Sequence, residues 1–402
     1  MSSIPESNPE GRSVNHSSQF PQKSKGLSLV ELLVALVLGL LLVGGILQLF
    51  VGSKMTYNSN EALARVQENG RFMIEMLKRE TRGIGTHGFC AGQMNIRNHL
   101  NEDCGGYVDI LFDPSQSVVG WEFSGTAVGD PATELPEDLS PADLAVGNWQ
   151  SRQPDGSQLQ LPDALQDQVV TGSDVLVIRS LELQDVLVDS NQNNTNIGLI
   201  SGTVPRRGII MVTDCANGAD IFQQSNANNA DGSLSKPVQS CSNPGPGNKP
   251  PGLNPWGTDY NETAQVFSAQ VVAYYIGYNA AREEPGLYRL DLSRGLRDED
   301  LLPEELVEGV ESMQVLYGFS LPAPAGDGQS IDFWLPADEV RDWGLVIAMR
   351  ISLLVRSANN ADATLLQGTY DLAGTPIMNA PDRRLRQTFA TTVAVRNRII
   401  VQ

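Results

Sequence analysis

The hydrophobic residues of the chain are concentrated near its N-terminus, where residues 27–51 form an apolar run whose only acidic residue is Glu31. A helix of this length would span roughly 37 Å, which is enough to cross a ~30 Å hydrocarbon core with some tilt. Lys23 and Lys25 precede the run and favour a cytoplasmic position for the short N-terminal side. The pattern therefore predicts a transmembrane helix.

The apolar spacing changes after this run but remains helical. Leu63, Val66, Met73 and Leu77 recur at steps of three and four when the glycine between them is counted, which is typical of one face of a helix. We therefore predict one continuous helix that ends near residue 82. Its first half would span the membrane, and its second half, residues 52–82, would pack on a periplasmic globular domain.

The rest of the chain alternates between apolar and polar residues with a period of two, most clearly at residues 345–355, and this pattern predicts β-strands. Further strands are predicted at 174–180, 208–213, 271–278 and 388–396. Residues 129–168 and 216–256 show no such pattern and are predicted to be long loops. The predicted fold class is α+β, with a long N-terminal helix and an antiparallel, β-rich globular domain at residues 83–402.

Three shorter features are predicted within the β-rich region. Residues 303–307 and 336–343 are expected to form short helices. Glu284, Pro285 and Gly286 are expected to form the turn of a hairpin between two strands.

Charge and motifs restrict the possible functions. The chain has 28 basic and 47 acidic residues and a net charge of −19, which repels nucleic acid, so no nucleic-acid partner is predicted. The sequence contains no HExxH, GxSxG, P-loop or helix-opening GxGxxG motif. Ser233 and Lys236 match S-x-x-K without its companion motifs, which favours chance. The acidic residues within 283–311 favour a solvated surface over a cation site. We predict neither catalysis nor a cofactor.

Cysteines offer a covalent element of the fold. The four cysteines are Cys90, Cys104, Cys215 and Cys241. Three pairings are possible, and we favour the local one, Cys90 with Cys104 and Cys215 with Cys241, because each pair flanks a polar or glycine-rich loop. In an oxidising periplasm each bond would contribute a few kcal/mol. His87 and His99 complete an H-x2-C-x8-H-x4-C array, but this spacing fits no standard zinc finger, so no metal site is predicted.

Gly26 and Leu27 mark a candidate cleavage site that lies before the apolar run. A secretory signal peptide is cut after its apolar region, whereas a cut after Gly26 would leave that region on the mature protein. Leu27 would then carry a free ammonium, with Glu31 four residues later on the same helical face. The carboxylate would pair with this ammonium or with that of a neighbouring copy, or it would reach the membrane interface.

The residues of this segment resemble a known family. Residues 25–35 are similar to the class III signal of type IV pilins and type II secretion pseudopilins: a basic leader, a glycine, and a glutamate at the fifth mature position. Segments further along are similar to the minor pilin family PilW, namely residues 67–72, 287–289, 305–314 and 317–318. The resemblance implies a pilin-like fold, removal of residues 1–26 by a prepilin peptidase, and N-methylation of Leu27, where the family usually has phenylalanine.

The resemblance also implies a function. The chain would be a non-enzymatic minor pilin that primes or forms the tip complex of a type IV pilus, first in the inner membrane with a periplasmic domain and then at the cell surface. Its expected partners are other minor pilins, the major pilin, a tip adhesin, the prepilin peptidase and the inner-membrane assembly platform. Glu31 would fix the register of assembled subunits. The alternatives are a minor pseudopilin of a type II secretion system and an uncleaved, membrane-anchored periplasmic enzyme or binding protein.

Overall fold

The computed structural model describes residues 26, 28–82, 84, 95–101, 104, 117–136, 149–153, 155–225, 232–237, 239–240, 245–250, 255–293, 301–322, 324–327 and 330–395. The chain divides into two compact units, residues 1–54 and 55–402. A long N-terminal helix precedes a region rich in antiparallel strands, so the predicted α+β fold class is confirmed.

The elements have the following bounds. The helices are α1 (Leu29–Arg82), α2 (Asp163–Gln166) and a 3-10 helix (Trp343–Leu345). The first eleven strands are β1 (Ile96–Asn98), β2 (Val118–Phe123), β3 (Thr133–Glu134), β4 (Trp149–Arg152), β5 (Gln158–Leu159), β6 (Val175–Leu183), β7 (Leu187–Gln192), β8 (Asn196–Ser201), β9 (Ile209–Thr213), β10 (Ala219–Gln223) and β11 (Ser233–Ser235). The others are β12 (Gln239–Ser240), β13 (Gly247–Asn248), β14 (Gln265–Asn279), β15 (Glu284–Asp291), β16 (Glu304–Glu308), β17 (Val310–Phe319), β18 (Phe333–Leu335), β19 (Val346–Arg356), β20 (Thr369–Leu372), β21 (Thr375–Met378) and β22 (Arg386–Ala394).

The largest sheet of the described chain is built around β14. This strand pairs with β9 near its start, with β6 along its middle and with β15 near its end, always antiparallel. The sheet runs in the order β1-β10-β9-β14-β6-β2-β4-β5, and β15 and β16 continue it from β14. Tyr274, Tyr275 and Ile276 on β14 are buried, as expected for a strand that is covered on both faces.

A second sheet, in the order β18-β17-β19-β22, carries the other large part of the core. Asp174 joins the two sheets, because its carboxylate accepts hydrogen bonds from the N–H of Phe123 on β2 at 3.1 Å and of Val315 on β17 at 2.8 Å. The main hydrophobic core includes Met73 and Leu77 of α1 together with residues of both sheets. Residues that lie far apart in the sequence therefore form one core.

The structure corrects several predictions for the β-rich region. The hairpin between β14 and β15 is present, but Pro285 and Gly286 pair within β15, and the turn lies at residues 280–283. The side-chain oxygen of Asn279 stabilises this turn by accepting hydrogen bonds from the N–H groups of Ala281 and Arg282. The helix predicted at 303–307 is wrong, because β16 pairs there with β15.

The remaining differences concern the second predicted helix and the predicted loops. Residues 336–343 contain no α-helix, and a 3-10 helix follows at Trp343, capped by the Asp342 carboxylate. The stretches 129–168 and 216–256 contain short strands in their described parts, including β4 and β10. These strands are too short to show a clear alternation of apolar and polar residues, so sequence patterning did not detect them.

The described cysteines are both oxidised. Cys104 and Cys215 take part in disulfide bonds, and no cysteine of the described chain is free. Cys90 and Cys241, the other two cysteines, lie outside the described residues. The predicted local pairing therefore stays a prediction.

Strand pairing nevertheless limits the possible disulfides. Cys215 lies just before β10, whose Ala219 pairs with Ile96 at the start of β1. Cys104 lies after the end of β1, in a turn where its N–H donates to the carbonyl of Asn101. The extended segment of β1 and its flanks spans roughly 20 Å, far above the ~7 Å Cα separation that a disulfide tolerates. This arrangement disfavours a bond between Cys104 and Cys215.

Candidate functional site

The N-terminus of α1 is closed by a reciprocal pair of hydrogen bonds. Ser28 precedes the helix, and its Oγ accepts the N–H of Glu31 at 3.2 Å. In return, Glu31 Oε2 accepts the N–H of Ser28 at 3.0 Å and its Oγ–H at 3.1 Å. This is a capping box, which satisfies backbone N–H groups that no intrahelical carbonyl can reach.

The capping box supplies a role for Glu31 that sequence reasoning missed. The S-x-x-E spacing of Ser28 and Glu31, directly before an apolar run, was the available signal. Both bonds to Ser28 use Oε2, and Oε1 makes no hydrogen bond to any residue that the structure describes. Among the described residues, one carboxylate oxygen is therefore without a hydrogen-bond partner.

The predicted processing residues lie directly before the cap. Gly26 is exposed, and a side chain placed on it would have nothing within 4 Å. Leu27, the residue that would become the new N-terminus, lies outside the described residues. Cleavage and methylation at this position remain predictions.

The first half of α1 exposes its apolar side chains on every face. Leu29 is 77% exposed and Val51 is 54% exposed, and the large hydrophobic residues between them are also exposed. Within the described chain, α1 is the helix long and apolar enough to cross a membrane. A continuous apolar surface of this kind requires lipid or another protein to cover it.

The second half of α1 packs into the globular core. Val66, Met73 and Leu77 are buried as the helical spacing predicts, whereas Leu63 remains 39% exposed. Gly70 lies in the middle of this face, and a Cβ placed on it would come within 2.2 Å of Cζ in the Phe389 ring on β22. Glycine therefore permits the close approach of this ring to the helix, and a side chain at position 70 would displace the ring.

Buried ion pairs hold the end of the second sheet. Arg386 at the start of β22 donates to Glu311 at 2.7 and 2.9 Å and to Asp382 at 2.6 and 2.7 Å, and Arg356 lies 3.2 Å from Glu311. The Arg386 side chain is only 3% exposed. Because the Arg386 guanidinium is buried in these pairs, it is unavailable to an acidic residue of a neighbouring subunit.

The acidic run at residues 283–311 forms ion pairs with nearby arginines. Arg282 bonds to Glu305 and lies 3.9 Å from Glu284 and 3.8 Å from Glu308. No group of acidic, histidine or cysteine side chains in the described residues has the arrangement of a metal site. In the described part of this run, these acidic side chains form ion pairs at the surface.

Two carboxyl groups in the core are also perturbed. Burial, reinforced by nearby Asp174, raises the pKa of Glu122 to about 10. Burial also raises the pKa of Asp174 to about 7, although its backbone hydrogen bonds oppose the shift. Sequence reasoning missed both residues, because isolated acids beside apolar strands carry no sequence signal.

The remaining chemical candidates are occupied by structural contacts. Both ring nitrogens of His99 are engaged, Nε2 by Asp220 and Nδ1 by Lys236 at 3.3 Å. The Lys236 ammonium also lies 4.1 Å from the centre of the Trp256 ring. His99 and Lys236 are therefore parts of a buried polar cluster, which leaves neither available to bind zinc or to serve Ser233 as a catalytic base.

Comparison with known proteins defines the class. Residues 21–47, which include Gly26 and Glu31, match the family model described as the prokaryotic N-terminal methylation motif. This motif, together with the exposed apolar helix and the β-rich domain, is typical of the pilin class, whose members carry an N-terminal membrane anchor. Such proteins act as structural parts of a pilus together with other pilus components.

The family within this class follows from the C-terminal part of the chain. Residues 273–397 match the family model described as type IV pilus-assembly protein W, so the resemblance to PilW is confirmed. The chain is a PilW-like pilin related to type IV pili. The matched region runs from the middle of β14 to just beyond β22 and includes the second sheet and its ion pairs. No curated protein and no solved structure matches the chain.

Proposed function

We propose that the chain is a minor pilin that primes or forms the tip complex of a type IV pilus. The main support for this proposal is that the chain combines a PilW domain with an N-terminal helix whose first half exposes its apolar side chains. The proposed organisation is a cytoplasmic leader at 1–26, a membrane half at 27–51, a packed helical half at 52–82 and a periplasmic domain at 83–402.

The proposed mechanism resides in the anchor. The apolar half of α1 holds the subunit in the inner membrane until the assembly platform extracts it, and helices of several subunits then bury one another. Partners are other minor pilins, the major pilin and a tip adhesin. Cleavage by the prepilin peptidase after Gly26 creates an ammonium at Leu27. Glu31 of an adjoining subunit receives this ammonium and fixes the axial register, because an unpaired charge in an apolar bundle is strongly unfavourable.

Three variants separate this role of Glu31 from its role in the cap. Glu31→Ala removes charge and cap, Glu31→Gln removes the charge but keeps an acceptor, and Ser28→Ala weakens the cap but keeps the charge. A register role requires that both Glu31 variants insert and are cleaved normally but lose surface pili, while Ser28→Ala assembles. The measurement is N-terminal sequencing of the membrane protein together with a count of pili.

A different order of effects would count against the register role. If Ser28→Ala abolishes pili as Glu31→Ala does, while Glu31→Gln assembles, the carboxylate serves only the helix end. Wild-type piliation in Glu31→Ala would show that assembly requires neither the charge nor the cap, and it would also contradict the register role. An intact Met1 on the native membrane protein would remove the pilin proposal itself and favour the uncleaved anchor.

A secretion pseudopilin is the second candidate. The N-terminal methylation motif does not separate a pseudopilin from a pilin, because the class III signal that residues 25–35 resemble occurs in both. The match to the pilus-assembly family favours the pilus. Deletion of the gene, scored for both surface pili and secreted enzymes, separates the two: loss of pili with normal secretion supports the minor pilin.

A further inference from the structure

A groove of about 350 Å³ lies between the second half of α1 and the segment that follows β19. One wall is formed by helix residues from Asn58 to Asn69, and the other by Glu308, Gly309 and residues 356–361. The mechanism proposed above does not involve this groove. We therefore ask which ligand its lining residues could bind.

The charged residues that line the groove are already paired within the molecule. The pairs are Glu61 with Arg65 at 2.8 Å, Glu308 with Arg282 at 3.8 Å, and Arg356 with Glu311 at 3.2 Å. A charged ligand would have to compete with these partners. The groove is consequently better suited to an uncharged ligand.

The polar groups that remain are side-chain amides. Asn58, Asn69, Asn359 and Asn360 line the groove, and none of their amides bonds to another residue in the part of the chain that the structure describes. Each amide offers two donor hydrogens and one acceptor oxygen. These groups are complementary to the N–H and C=O of a peptide unit. Four amides can therefore form hydrogen bonds with an extended backbone whatever its side chains are.

The walls of the groove are held in place by internal hydrogen bonds. Ser59 Oγ donates to the carbonyl of Ala361, which ties the helix to the opposite wall. Both ends of that wall are anchored, since Ser357 N–H donates to Leu385 and Ala361 N–H donates to Arg383, each at 2.8 Å. A preformed groove loses little conformational entropy when a ligand binds.

We propose that this groove binds an extended, uncharged stretch of polypeptide from another pilin subunit. The paired charges argue against an anion, and no aromatic side chain is among the described residues that line the groove, which disfavours a glycan that would stack on a ring. A volume of about 350 Å³ suits a short segment of polypeptide. The identity of the donor as a pilin rests on the proposed function.

Site-specific photo-crosslinking in cells that make pili tests the proposal with the full chain. Asn360 is replaced by p-benzoylphenylalanine, and the control carries the same residue at exposed Asn191 on β7. The expected result is an adduct from position 360 whose peptide maps to an uncharged segment of another processed pilin. In the Asn58→Ala, Asn69→Ala double variant the yield should fall about tenfold, since at least two hydrogen bonds are lost. Alanine favours the helix, so this variant should fold.

Several outcomes would overturn the inference. These are no adduct from position 360, an adduct of equal yield from position 191, an adduct with the mass of a glycan or lipid, or a yield unaffected by the double variant. N-terminal sequencing and pilus counts in the same cells keep the two proposals apart. A start at Leu27 with normal pili but no adduct removes the groove partner alone, whereas an uncleaved chain removes the pilin function.

Discussion

The two halves of α1 share one continuous helix but differ in how their apolar side chains are used. From Leu29 to Val51 the large hydrophobic residues are exposed, whereas Val66, Met73 and Leu77 are at most 1% exposed. Local helix propensity does not distinguish them. In the second half, Val66, Met73 and Leu77 belong to the main hydrophobic core, whereas the large apolar side chains of the first half are exposed. This contrast shows which part of the helix stabilises the domain and which part awaits a membrane or a filament.

The largest effect that would test the contrast comes from truncating one leucine in each half. Leu77→Ala should lower the free energy of unfolding of the second unit by about 2–5 kcal/mol, because a fully buried side chain leaves a cavity. Leu40→Ala removes a side chain that is 64% exposed and should leave that free energy unchanged. Urea unfolding in detergent, followed by tryptophan fluorescence, measures both, since every tryptophan lies beyond residue 55. Equal losses of unfolding free energy in Leu77→Ala and Leu40→Ala would contradict the proposed difference between the two halves.

Buried and exposed acids provide a second form of the contrast. Glu31 is exposed and capped by Ser28, whereas Glu122 is buried with a pKa raised to about 10. A carboxyl whose folded pKa lies above its unfolded value stabilises the fold at low pH, and this contribution is lost as pH rises from about 4.5 towards 10. Glu122→Gln keeps the acceptor for Thr126 and cannot ionise.

The stability of this variant relative to the wild type should therefore depend on pH. Between pH 5 and 8 the variant should gain up to about 1.4 kcal/mol per pH unit over the wild type, as expected for one proton. Urea unfolding at three or more pH values measures the difference. If the free energies of unfolding of variant and wild type changed with pH in parallel, the Glu122 carboxyl would be solvated in the folded protein, which would contradict its burial in the core.

Much of the fold could be predicted from the sequence where a single periodicity governs a long segment. The helix ends at Arg82, and β6, β9, β14 and β19 lie where alternation places them. The strand at residues 304–308 was mistaken for a helix because its five residues are mostly acidic and its stability comes from pairing with β15. Pairing with β15 therefore outweighed the local preference of these residues for a helix.

Features that depend on distant contacts could not be predicted. The groove brings together residues near 60 and near 360, and no sequence pattern links them. The disulfide pairing also depends on distant contacts, and the local pairing stays a prediction. A peptide map of the unreduced protein distinguishes it from the pairing of Cys90 with Cys215 and Cys104 with Cys241.

Glycine substitutions give a smaller effect with opposite expectations for the two halves of α1. Gly70→Ala forces a Cβ to within 2.2 Å of the Phe389 ring and should destabilise the second unit by about 1–3 kcal/mol, although alanine favours the helix itself. Gly44→Ala meets no atom within 4 Å and should not destabilise it. Urea unfolding compares them, and the cost of Gly70→Ala should disappear in a Phe389→Ala background. A cost that persists without the ring would place the strain elsewhere.

The smallest expected effect concerns the start of the helix. Ser28→Ala removes one side of the capping box and should loosen the first turn by about 1 kcal/mol, since at least one N–H there loses its partner. Because Ser28 is exposed and belongs to the first unit, the unfolding of the second unit should not change. Hydrogen exchange of the protein in detergent should show faster exchange at residues 29–32 alone. Faster exchange around Met73 as well would mean that the two halves unfold together, and the contrast between them would then concern exposure but not stability.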